Sequence, residues 1–282
     1  MANAIEINGT HKRRETYANE VLALAQIETN VYDDFSTDYE IDGATGAINV
    51  PTRSGEVTIS DYDVKNGVEL TQSATDYVVL PVDKNYAINE LIDGYEAEAV
   101  PDDLRANRIA AAASSMGAKK ESLAIAELVK KGTKSGDTDA LTESDVYAKI
   151  AKEVSNMKKR GMKVASMRIV VDADTELLLL TDDKFANSSS TVGAELLREG
   201  VIGKINGVAV KPNYALTENV EFIVYDKRFA QKYEVWSVEP SINNLADGKH
   251  IGASALQGRM VGGLMLTNAL GAQIKTKGEV SL

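Results

Sequence analysis

Cysteine is absent from the 282 residues. That removes disulfides, thiolate metal ligands and cysteine nucleophiles, and it suits a reducing compartment. Histidine is nearly absent: His11 and His250 are the two in the chain, too few for a histidine-rich metal site and a narrow basis for a Ser-His-acid triad. No GxSxG, HExxH or GxxxxGK[ST] pattern occurs. No apolar run nears the roughly 18 residues of a membrane span; Leu177–Leu180, for one, is far too short. The first residues, MANAIEINGTHKRRE, contain no apolar segment of the kind a secretory signal needs. Positive charge is in the minority, 31 Lys and Arg against 42 Asp and Glu, for a formal net charge of -11. A dominant phosphate-gripping surface is therefore not expected, because nucleic-acid affinity comes from clustered Lys and Arg.

What the chain does have is an unusual order of segments between Ala47 and Lys131. A polar leader, residues 1–46, comes first. It carries the basic cluster His11–Arg14, an amphipathic helix predicted over 15–29, and the acids Asp33, Asp34, Asp38, Glu40 and Asp42. Those acids lack the DxDxDG spacing and closing Glu of a calcium loop and read as a solvated stretch. Residues 47–83 follow as strand territory. Ile48 and Val50, Val57 and Ile59, and Val68 and Leu70 alternate with polar residues, and Tyr77–Val82 is a continuous apolar run that predicts a more buried strand. Asn66-Gly67 predicts a type I′ turn, in which both central residues need positive φ. An acidic joint, LIDGYEAEAV, leads into a long Ala-rich helix expected over 101–131, from Pro101, Asp102 and Asp103 to Lys130, Lys131 and Gly132. Ala110–Ala113 and Ala118 leave its middle thin enough for close packing, and Gly117 costs about 1 kcal/mol relative to Ala. A long hairpin joined to one long helix exposes surface that a single subunit covers poorly.

Residues 132–140 (GTKSGDTDA) read as a linker. Thr142, with Asp145 at the capping-box position, opens a helix whose apolar stripe is Val146, Ile150, Val154 and Met157 and which Lys158–Gly161 closes. Met167–Val171 predicts a buried strand, and Asp172 caps the helix DADTELLLL. A Ser-rich loop over 182–191, a short helix over 195–200, a hairpin turning at Asn206-Gly207 and strands at Val220–Tyr225 and Lys232–Glu239 follow. The tail, 250–275, holds two apolar stretches around an expected Gly258-Arg259 turn and Gly262-Gly263. The class is α+β, with few βαβ units.

This series of segments resembles the major capsid proteins of tailed bacteriophages, the Hong Kong 97-type fold. The arm with SDYD at its middle resembles that family's E-loop, and LIDGYEAEAV with the Ala-rich helix resembles the joint into its spine helix. MRIVVDADTELLLLTDD and GAELLREGVIGKINGVAVKPNYAL are similar to its A domain, and KYEVWSVEPSINNL with HIGASALQGRMVGGLMLTNALGAQIK to the strands that return to its P domain. The resemblance implies an N-terminal arm (1–46), an E-loop (47–83), a P domain (84–135 and 236–282) on the spine helix and an A domain (136–235). It implies a structural role rather than an enzyme, with no cofactor, no metal and no membrane. Homo-hexamers and homo-pentamers would tile an icosahedral shell around double-stranded DNA, which the subunit meets only by non-specific proximity. Implied partners are a separate scaffolding protein, a portal and decoration proteins. The implied location is the virion capsid, after assembly in the host bacterial cytoplasm. An encapsulin-like compartment shell shares the fold and is the alternative.

The side chains that could carry chemistry each have a plainer reading. Asp172 and Asp174, at a strand-to-helix junction, read as capping groups. An acidic carbohydrate-active enzyme using Asp172 or Glu195 would need two carboxylates about 5–10 Å apart in a pocket, and the spacing shows no such pair. Some shells of the family join an E-loop lysine to an asparagine on a neighbour; Lys65 and Asn268 stand in no motif that carries this over, and Lys65 reads as solvated. Trp236, between Val235 and Val238, reads as a core residue. No catalytic, cofactor-binding or metal site is assigned.

Overall fold

The computed structural model describes residues 30–36, 46–53, 59–68, 75–94, 104–137, 139–182, 184–185, 201–217, 219–245 and 249–277. The predicted helices over 15–29 and 195–200, the His11–Arg14 cluster and most of the Ser-rich loop lie outside them. In chain order the described elements are α1 (Asn30–Asp33), β1 (Ala47–Arg53), β2 (Thr75–Pro81), β3 (Lys84–Ile92), α2 (Leu104–Lys131), β4 (Thr133–Lys134), α3 (Val146–Lys159), β5 (Met167–Val171), α4 (Ala173–Thr181), β6 (Gly203–Ile205), β7 (Val208–Pro212), β8 (Val220–Asp226), β9 (Ala230–Asn244), β10 (Ser254–Leu266) and β11 (Ala272–Thr276).

A six-stranded sheet ordered β4-β11-β8-β5-β7-β6 holds the main core. Its two central strands, β5 and β8, are mostly apolar, interrupted by Arg168 in β5 and Glu221 in β8, because both of their faces are covered. On one face the α3 stripe Val146, Ile150, Val154 and Met157 packs on Met167, Ile169, Val171, Phe222 and Val224, all fully or nearly fully buried. On the other, Ala124, Ile125 and Leu128 of α2 pack on Val170, Ile223 and Tyr225. Each such aliphatic side chain contributes about 1.5–3 kcal/mol by leaving water. The start of α3 differs by a few residues from the expected cap: Asp145 reaches back to the Thr142 N–H at 2.7 Å, and the helix proper begins at Val146. Its end is a Schellman motif, with Gly161 at φ 82 and bonds from Gly161 N–H to Lys158 and Met162 N–H to Met157.

A three-stranded sheet, β3-β10-β9, runs along the first half of α2, a rod of 28 residues and about 42 Å. Three expectations change here. The tail does not turn at Gly258-Arg259: β10 is one 13-residue strand, with a register shift between Gln257 and Arg259. A Cβ at residue 258 would sit 3.1 Å from Pro240 Cα, so that glycine serves close approach of β9 rather than a turn. The stretch expected as a linker after α2 joins the six-stranded sheet: β4 pairs in parallel with β11, and buried Lys275 donates to the carbonyls of Asp137 and Asp139 at 2.7 and 2.6 Å. β3 is a nine-residue strand that the sequence patterning did not announce.

Candidate assembly surface

The arm is built from β1 and β2, antiparallel from Ala47 opposite Pro81 to Arg53 opposite Thr75. Its inner face, Ile48, Val50 and Leu80, packs on Met265 of β10. Its outer face carries Tyr77 and Val79, 64% and 53% exposed. The continuous apolar run over 77–82 is therefore not a buried strand: period-two alternation puts half of its side chains in solvent. At the tip Ile59, Tyr62 and Val64 are also exposed. The tip turn spans Asp63 to Gly67, closed by Gly67 N–H donating to the Asp63 carbonyl at 2.9 Å. Gly67 has φ 71 but Asn66 lies outside the left-handed region, so this is not the expected type I′ turn. The cause is Asp63, whose carboxylate accepts from Lys65 N–H at 2.7 Å and from the Asn66 side chain at 3.0 Å. Those N–H bonds, that of Lys65 first, hold the Asp63 carboxyl below its usual range. Asn206-Gly207, with φ 50 and 85, does form the I′ turn, joining β6 to β7.

A second feature was not visible in the sequence. Residues 30–36 form a clasp that crosses between the long helix and the six-stranded sheet. Val31, Tyr32 and Phe35 are buried. Glu121 of α2, fully buried, accepts the Val31 and Tyr32 N–H groups at 2.9 and 2.8 Å and the Asn213 side-chain amide. Asn30 donates to the Pro212 carbonyl at 2.9 Å. Ser36 pairs with Gln231 of β9. Burial lifts the Glu121 carboxyl above its ordinary value although three N–H donors face it. The acids of this segment are not all solvated, as expected from the sequence: Asp34 pairs with Lys227 and accepts the Tyr225 hydroxyl at 2.7 Å. Burial and the facing Asp34 push the Tyr225 hydroxyl well up. The acids at 38, 40 and 42 lie outside the described residues.

The remaining singled-out side chains do not converge. Asp172 accepts from Thr175 N–H at 2.8 Å as the cap of α4, and Lys277 bridges Asp172 and Asp174 at 3.5 and 3.0 Å. Glu195 and His11 lie outside the described residues, and His250 is exposed on a turn. Trp236 stands in β9 opposite Met260, and its side chain is outside the description. Lys65 is exposed at the arm tip, while Asn268 caps a short turn by accepting from Leu270 N–H. A cleft of about 430 Å³ between β3 and α2 is lined by Tyr86, Ile88, Arg108, Ala112, Met116 and Lys119, with no nucleophile beside a base. Among the described residues no group of His, Asp and Glu could hold a metal ion, and no helix is long and apolar enough to cross a membrane.

No protein-family model and no curated protein matches the chain. Solved structures do. A structure of Mycobacterium phage Che8 is 18% identical, with 93% of this chain and 96% of the other covered at a TM-score of 0.74. The capsid of the Cyanophage P-SCSP1u is 14% identical over 93% and 92%, also at 0.74. The capsid of Ralstonia phage GP4 is 12% identical over 100% of both chains, at 0.66. At such identities the likeness is one of fold, and it extends over nearly the whole chain: arm, long helix and both sheets together have the Hong Kong 97-type fold of these phage capsid structures.

Proposed function

We propose that the chain is a structural major capsid protein of a tailed phage, a coat subunit and not an enzyme. Its copies would assemble as hexamers and pentamers into an icosahedral virion shell around double-stranded DNA. The observation that carries this is the arm. A two-stranded ribbon is marginal alone, yet this one leaves Tyr77 and Val79 on a bare outer face while its root is fixed on Met265. Such a face is completed by a second copy, and weak contacts of this kind add up over a closed lattice. The likeness to phage capsids supports the same reading and favours it over an encapsulin-like compartment. On this reading residues 47–83 are the E-loop, 84–135 with 236–282 the P domain and 136–235 the A domain. A separate scaffolding protein, a portal and decoration proteins would be the partners, and assembly would take place in the host cytoplasm.

Negative-stain electron microscopy of the purified protein tests the proposal, with Tyr77→Asp/Val79→Asp as its control. Closed shells, or free hexamers and pentamers, are expected from the parent and not from the variant. A compact monomer at every concentration and salt would overturn it.

A further inference from the structure

Charge is not spread evenly over the α3–β5–α4 unit. From Ser155 to Val171 the chain carries Lys158, Lys159, Arg160, Lys163 and Arg168 and no carboxylate. These lysines and Arg160 gather at the C-terminal end of α3, where Lys158 reaches the Asn206 carbonyl at 2.7 Å in the β6–β7 turn. Lys159, Arg160 and Lys163 are exposed and have no ion-pair partner among the described residues. The opposite end of the unit is acidic. Asp139 and Glu143 precede α3, and Asp174 and Glu176 begin α4. The two groups meet around Glu221: its carbonyl accepts the Asp172 N–H at 3.1 Å, and Lys275 lies 3.9 Å from its carboxylate and 3.5 Å from that of Asp137. Because α3 runs away from this corner and β5 returns to it, the acidic and basic ends stand about 20 Å apart, the length of α3.

We infer that these two ends are complementary halves of one contact between copies: the basic end of one subunit docks on the acidic end of the next. This rests on the shell reading and adds the chemistry of the contact. A subunit of net charge -11 repels its copies, so close assembly needs opposite charges placed where copies touch. A basic patch on a chain this acidic finds its nearest complement on another copy. Patches about 20 Å apart on one unit can pair across a two-fold axis or head to tail; the shell reading selects the head-to-tail contact, the kind that closes into rings. Helix-dipole complementation asks only for charges in the first and last turns; Lys163, beyond the end of α3, and Glu143, ahead of its first turn, lie outside that demand.

The test reverses each end and then both: Lys159→Glu/Arg160→Glu, Glu143→Lys/Asp174→Lys, and the four changes together. All four side-chain changes of sign fall on exposed residues, and circular dichroism melting confirms that each variant folds. Light scattering and electron microscopy at low and high salt read the protein concentration at which particles appear. Each single-end variant should need about tenfold more protein, the combined variant should return near the parent, and the parent should lose assembly as salt rises. Failure of the combined variant to recover overturns the inference. So does a basic-end variant that assembles normally but retains less nucleic acid, which would assign that end to phosphate. A parent that forms no particles at all refutes the shell reading itself, a different result.

Discussion

Replacing Glu121 tests the clasp directly. Glu121→Ala removes the acceptor of two buried backbone N–H groups, Val31 and Tyr32, and of the Asn213 amide. An unsatisfied buried donor costs about 1–3 kcal/mol, and removing a carboxylate with no cation beside it returns part of that, so a net loss of about 2–4 kcal/mol is expected. Glu121→Gln keeps one acceptor oxygen and turns an amide N–H toward the other donor, which should cost roughly half as much. The pH dependence carries the sharper test. Burial, aided by nearby Asp33, raises the Glu121 carboxyl above its ordinary 4.5 and outweighs the three N–H donors. A group with a raised folded pKa contributes stability that is complete below the unfolded value and lost as pH rises through the folded one. The stability gap between the parent and Glu121→Gln should therefore be widest below pH 4.5 and narrow as pH rises above it. Taking the difference cancels the carboxylates with lowered values, Asp137, Asp145 and Asp226, which the two proteins share. Urea unfolding followed by circular dichroism over that range measures the gap, and amide exchange at Val31 and Tyr32 localises it. A gap that widens with pH would mean that the N–H donors outrank burial, and the reasoning would fail.

Ile150→Ala, in the fully buried α3 stripe, should lower stability by about 3 kcal/mol in thermal or urea unfolding, through lost burial and a cavity against β5 and β8. Asp172→Ala should cost about 1 kcal/mol by removing the acceptor of the Thr175 N–H at the start of α4, and Asp172→Asn should restore most of it. Gly263→Val should act on the arm: a Cβ there would overlap the Pro81 carbonyl oxygen, so the root of β2 must lift from β10. Amide exchange should rise across Ile48–Val50 and Val78–Leu80 and particle formation should fall, while α3 and β5 stay protected.

The parts legible in the sequence were those whose signal is local. The α3 stripe recurs at helical spacing against a polar opposite face, and β5 and β8 are mostly apolar runs between polar turns. The Asn-Gly pairs show where locality ends. Asn206-Gly207 stands between strands that already pair, and both residues take positive φ. Asn66-Gly67 follows an aspartate three residues earlier that captures the Lys65 and Asn66 N–H groups and tightens a different turn. β3, KNYAINELI, was missed because its half-buried residues are mixed in size and polarity, and its partner β10 lies far along the chain, with Gly258 opposite Ile88. Glu121 was invisible for the same reason: within AKKESLA it looks like one charge on a solvated helix face, and its donors are at residues 31, 32 and 213.

Those two kinds of misreading run in opposite directions, and together they bear on function. In the clasp, charged and polar groups are buried and joined, Asp34 among them although it was expected in solvent: Glu121 to Val31 and Tyr32, Asp34 to Tyr225 and Lys227, Glu234 to Tyr32 and Lys120. Such a network fixes one geometry because each unmade bond inside it is costly. On the arm, apolar groups are in solvent: Tyr77 and Val79, expected in a more buried strand, and Ile59 and Val64 at the tip. A monomer selected for its own stability would have little use for that face, since a bare apolar ribbon edge invites association. A subunit that must hold its long helix and main sheet rigidly while offering an unfinished surface to its copies needs both features at once. The clasp ties α2 to the main sheet and Met265 seats the arm on β10, and on the shell reading only an arm in a definite position can meet the same place on every neighbour.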